Sequence, residues 1–154
     1  MALNKYNTAK ISNAGRAVEL LDIVTQRPIG VRFFVLGIDS KEYQRITRKH
    51  ESDRLEKQKK NRGRVYYLTP EETEANALEL LSGLTTGWEE DVCDNEGKVT
   101  HTRPDIELEE GQFIPFSTEA AKAIYEELGY KWIREQIDAE IGDRRDFLPQ
   151  AKRS

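Results

Sequence analysis

Apolar positions recur along the chain at two intervals, and the change from one to the other marks its elements. Val18 to Asp22 and Val31 to Ile38 are β-rich, with turn character at Thr25-Gln26-Arg27-Pro28 between them. A β-hairpin is predicted there, with Leu20, Phe33 and Val35 among its inward positions. An isolated hairpin is only marginally stable, so one of its faces must pack on helices. Helical spacing takes over after Asp39, which with Glu42 forms an aspartate version of the capping box and opens a helix at about Ser40. Its apolar stripe is thin (Tyr43, Ile46 and Leu55), as expected of a helix that extends into solvent or meets a partner. Val65-Tyr66-Tyr67-Leu68 reads as a short strand or a connector.

Thr69-Pro70-Glu71-Glu72 carries the strongest helix start in the chain. Thr69 caps, Pro70 suits the first helical position, and Glu72 reaches back to the cap N–H. Ala77, Leu78, Leu81 and Leu84 then share one face, with Leu80 beside them. The helix is predicted to end at Gly87, with Trp88 continuing that face. Residues 89–110 hold nine acids against Lys98 and Arg103, with a turn at Asp94-Asn95-Glu96-Gly97. A stretch this long and this acidic predicts a mobile loop. Beyond it Ser117 caps a helix carrying Ala121, Ile124, Tyr125 and Leu128, which Gly129 is expected to stop in the left-handed conformation. A second helix presents Trp132, Ile133, Ile137 and Ile141, followed by the tail Phe147-Leu148-Pro149. Residues 1–16 lack a helical period and read as a flexible or loosely docked arm, and 150–154 as a disordered tail. The predicted fold is α+β: an N-terminal β-hairpin packed with about four helices in one domain, 17–149, its C-terminal half mainly α-helical.

Composition narrows this in two ways. With 34% charged residues, the core must be small for a chain of 154 residues. The net charge of −4 conceals a split: fifteen Lys/Arg against seven Asp/Glu through Tyr67, and nine against twenty-one from Leu68 on. Such polarity suits an anionic partner at one end, or head-to-tail attraction within or between molecules. The longest apolar run, Phe33 to Ile38, is far too short to span a bilayer, so no membrane partner is expected. No secretory signal is visible, and Cys93 is the only cysteine, which suits a reducing cytosol.

Candidate chemistry is sparse. His101 and Ser117 could be drawn into a triad, but no strand-turn-helix nucleophile elbow surrounds the serine, and a helix cap accounts for it. No enzymatic activity and no cofactor are expected. Asp91, Cys93, Asp94, Glu96 and His101 supply metal-ligand types without the spacing of a zinc or calcium site, so no metal is expected. Arg48, Lys49, Arg54, Lys57, Lys60, Arg62 and Arg64 form a possible charged interaction surface on the basic helix 48–64, with Tyr66-Tyr67 just beyond. Glu51, Asp53 and Glu56 interleave at helical pairing distance, so nucleic acid is not the preferred partner. The aromatic residues Trp88, Phe113, Phe116, Trp132 and Phe147 concentrate in the C-terminal half, as candidates for partner binding as well as for the core.

The order of several short motifs adds a further reading. Val35-Leu36-Gly37-Ile38-Asp39-Ser40 with Tyr43 comes first, then Gly87-Trp88 and Pro115-Phe116-Ser117. Tyr130 with Trp132-Ile133, Glu135-Gln136-Ile137, Asp143-Arg144 and Phe147-Leu148 follow. Across residues 18–149 this order resembles the tail assembly chaperones of long-tailed bacteriophages, although Asp146 stands where family members often carry asparagine. The resemblance implies a non-enzymatic protein of the host cell cytoplasm, not expected in the mature virion. Such a protein coats and solubilises the tape measure protein and helps recruit tail tube subunits; the charge polarity between the two halves would suit lateral self-association along such a partner. The alternatives are a small nucleic-acid-binding or regulatory phage protein using helix 48–64, or a structural tail component.

Overall fold

The computed structural model describes residues 2–147 and shows a mixed α/β protein. The hairpin is present as β1 (Arg16–Leu21) and β2 (Pro28–Val35), paired antiparallel with Val18 opposite Phe33. Val18, Leu20, Phe33 and Val35 all point into the core. Two strands that the sequence concealed extend it. β3 (Thr85–Cys93) pairs with β2, and β4 (Val99–Arg103) pairs with β3, giving a four-stranded antiparallel sheet in the order β1-β2-β3-β4. A separate hairpin of β5 (Asp105–Glu109) and β6 (Gln112–Pro115) follows.

The expected mobile loop 89–110 is therefore mostly strand, and the C-terminal half holds four strands beside its helices. Charge repulsion, the reason for expecting mobility, is cancelled by cations from neighbouring strands. The Arg32 guanidinium on β2 binds Glu89 at 2.6 Å, Asp91 at 2.5 Å and Glu19 at 3.2 Å, and Arg103 on β4 pairs with Glu90. Asp91 is held below its ordinary carboxylate pKa by its bonds to Arg32, and Arg32 is held above its own ordinary value by its bonds to Asp91 and Glu89. The expected turn at Asp94–Gly97 forms as the β3–β4 connection. There Asp94 accepts the N–H groups of Glu96 and Lys98, both at 2.9 Å, and Gly97 takes positive φ.

Helices cover one side of the sheet. α1 (Thr8–Ala14), capped by Asn7, occupies the segment expected as an arm without helical period, and its Ser12 is buried. α2 (Lys41–Lys60) starts where expected, but Ser40 is its cap, accepting the Tyr43 N–H at 3.2 Å. Asp39 instead accepts two bonds from Arg144, at 2.7 and 3.0 Å. Only Ile46 of α2 is buried, and it lies where a Cβ on Gly83 would stand at 2.6 Å from its Cδ1, so that glycine lets the two helices approach. α3 (Pro70–Leu84) begins with the full Thr69/Glu72 capping box. It ends three residues before Gly87 because Thr85 turns extended to begin β3, so Trp88 lies on a strand. Val65–Leu68 is a connector.

α4 (Thr118–Glu126) is capped by Ser117 and buries Ala121, Ile124 and Tyr125. Glu127, in extended conformation, ends it, and Gly129 falls inside a 3₁₀ turn, Leu128–Tyr130, without positive φ. α5 (Lys131–Ile141) buries Ile133, Ile137 and Ile141 at the spacing that the sequence predicted. A last turn, α6 (Arg144–Phe147), sets Phe147 into the core under the guanidinium of Arg16. Leu148, Pro149 and the predicted tail 150–154 lie outside the described residues.

Candidate functional site

A groove of about 680 Å³ lies between the β5–β6 hairpin and α4. Strict alternation in Asp105-Ile106-Glu107-Leu108-Glu109 makes β5 amphipathic: Ile106 is buried and Leu108 half-buried, while Glu107 and Glu109 face water. Leu108 and Ile114 form one wall. The floor is α4, through Ala120, Ala123 and Ile124, and Tyr130 with Gly129 closes one end. The alanines leave the helix surface open to close approach, and carboxylates of Glu109 and Glu127 stand on the rim.

One long-range bond holds the wall in place. The Trp88 indole Nε1–H, on β3, donates to the Ile114 carbonyl at 3.1 Å. Phe116 meets the same indole edge-on, with ring centroids 5.1 Å apart and planes at 89°, and Phe33 packs on its other side at 5.3 Å. Such aromatic contacts prefer these tilted geometries because ring faces are negative and edges positive. Beneath them, the buried Tyr125 hydroxyl meets Thr85 Oγ1 at 2.7 Å, and that oxygen donates to the Leu81 carbonyl at 2.9 Å. Burial holds the Tyr125 phenol well above its ordinary pKa.

The five aromatic candidates thus separate. Trp88 and Phe147 are core residues, Phe116 and Trp132 are half-buried against the core, and Phe113 alone is exposed, at 48%. Arg103 lies over the Phe113 ring at 4.4 Å. The structure draws Trp88 and Phe116 together behind the groove wall, where Trp88 bonds Ile114, and leaves Phe147 beside α1 and Arg16. Leu108, Ala120 and Ala123, which line the groove, were missed as site residues. The alternation in β5 was the available signal for the first of them, hidden by weighing its acids as evidence of mobility.

The basic helix also separates into spent and free charge. Lys49 pairs with Glu79 at 2.7 Å, Arg54 with Glu51 at 2.6 Å, and Lys57 with Glu72. Arg48, Lys60, Arg62 and Arg64 are exposed and make no ion pair among the described residues, so free charge gathers at the turn leading from α2 toward α3. Ser117 is occupied as the α4 cap, its Oγ accepting the Ala120 N–H at 3.0 Å. Among the described residues no group of three His, Cys, Asp or Glu side chains stands close enough together to hold a metal ion. No described helix is long and apolar enough to cross a membrane. No protein-family model matches the chain, and no curated protein or solved structure matches it.

Proposed function

We propose that this chain is a tail assembly chaperone of a long-tailed bacteriophage, acting in the host cytoplasm without making or breaking a covalent bond. On this reading, the groove between the β5–β6 hairpin and α4 receives one apolar face of a helix of the tape measure protein. The observation that carries it is the groove: an apolar channel floored by Ala120, Ala123 and Ile124, walled by Leu108 and Ile114, and rimmed by Glu109 and Glu127. Helix-in-groove recognition needs such a channel, and acidic rims favour a segment flanked by Lys or Arg. The order of motifs across residues 18–149 points the same way. Each copy contributes one modest, reversible contact, and many copies along a long helical partner hold it soluble until tube subunits displace them.

Co-expression with the tape measure protein tests this. The partner should become soluble and co-purify with the native chain. An Ala123→Arg variant, placing a long cation on the exposed floor of the groove, should fold normally and lose the partner. A tape measure protein that stays insoluble beside the native chain rejects the family reading. One that is solubilised equally by both chains rejects the groove. Presence of the chain in purified virions would favour the structural-component alternative.

A further inference from the structure

The two edges of the four-stranded sheet are treated differently. At the β1 edge, the Gln136 side chain on α5 bonds the main chain of Leu21 twice: its Oε1 accepts the Leu21 N–H and its Nε2 donates to the Leu21 carbonyl, both at 2.9 Å. A side-chain amide thereby imitates a neighbouring strand and closes that edge there. Among the described residues the β4 edge has no such cover. Its strand has one neighbour, β3, and Val99, Thr100, His101 and Thr102 are all exposed. Open edges are templates for another strand, and proteins ordinarily blunt them with charge, proline or a covering element. Between Val99 and Thr102 β4 carries no Asp, Glu, Lys, Arg or Pro.

We propose that β4 is a self-pairing edge, and that two copies of the chain join there antiparallel into one continuous eight-stranded sheet. The pleat limits the register: directly opposed side chains share a face, so a two-fold axis must pass through a residue and not between two. An axis through His101 pairs all five residues of β4, sets Thr100 against Thr102 of the other copy twice, and brings Lys98 opposite Pro104. A two-fold contact uses the same edge of both copies, so pairing through β4 closes at two. A foreign extended peptide is the competing occupant. This inference stands apart from the groove and does not depend on it.

Sedimentation of the full chain up to about 0.5 mM, where interfaces of micromolar affinity are filled, should show a monomer–dimer equilibrium. Two double variants read the register. T100K/T102K sets lysine against lysine at both symmetric pairs and should weaken the dimer at least tenfold. T100K/T102E sets lysine against glutamate at the same pairs and should restore or strengthen it. Both leave exposed positions in the monomer, and circular dichroism should show both folded. Monomer at every concentration overturns the proposal, as do dimers of equal strength in the two variants. A monomeric chain whose β4 amides gain exchange protection only with a tape measure segment assigns the edge to a foreign strand, and also overturns it.

Discussion

Trp88→Phe should loosen the groove wall before it unfolds the protein. The indole is buried at 3% exposure between Phe33 and Phe116, and its N–H is the long-range bond from the sheet to β6. Phenylalanine keeps an aromatic ring but removes roughly 50 Å² of buried surface, worth about 1–1.5 kcal/mol. Losing the bond to the Ile114 carbonyl adds about 1 kcal/mol, since Ile114 is half-buried and water can reach part of the freed oxygen. The sum is about 2–2.5 kcal/mol, which corresponds to a fall in Tm of roughly 4–10 °C for a domain of this size. Urea unfolding followed by circular dichroism measures it. Hydrogen exchange should place the earliest loss of protection in 105–115. A midpoint unchanged within about 0.5 kcal/mol, or uniform loss of protection across the sheet, would refute the role assigned to this bond.

Two other perturbations test the packing around it. A Cβ on Gly37 would fall 2.8 Å from Ser12 Cβ, in the tight approach that docks α1 on the β2–α2 connection. Gly37→Ala should cost about 1–3 kcal/mol and release α1, seen as faster tryptic cleavage at Lys10 with the remaining sheet protected; unchanged cleavage would mean α1 is not docked through this contact. Tyr125 gives a pH signature. Its phenol is neutral in the fold above the pH at which an unfolded tyrosine ionises, so the unfolded state binds fewer protons in that range. Its contribution is therefore complete below about pH 10 and is lost as pH rises beyond it, at up to about 1.4 kcal/mol per pH unit. Tyr125→Phe should flatten the alkaline limb of stability relative to the native chain, and parallel limbs would show that the buried phenol is not its source.

Local signals, strong enough to act without partners, were legible in the chain itself. The Thr69-Pro70-Glu71-Glu72 box, the Ser117 cap, the isoleucine spacing of α5 and the inward positions of the hairpin each rest on interactions within a few residues. Tertiary structure alone decided that residues 85–93 and 99–103 become strand, because the charges that neutralise Glu89 and Asp91 come from Arg32, more than fifty residues earlier. It likewise gave Asp39 to Arg144 instead of a cap, Gln136 to the edge of β1 at Leu21, and the Trp88 N–H to Ile114 of the groove wall. Periodicity reports which side of an element is apolar. Which distant residue meets that side, or cancels a charge upon it, depends on how the whole chain closes on itself.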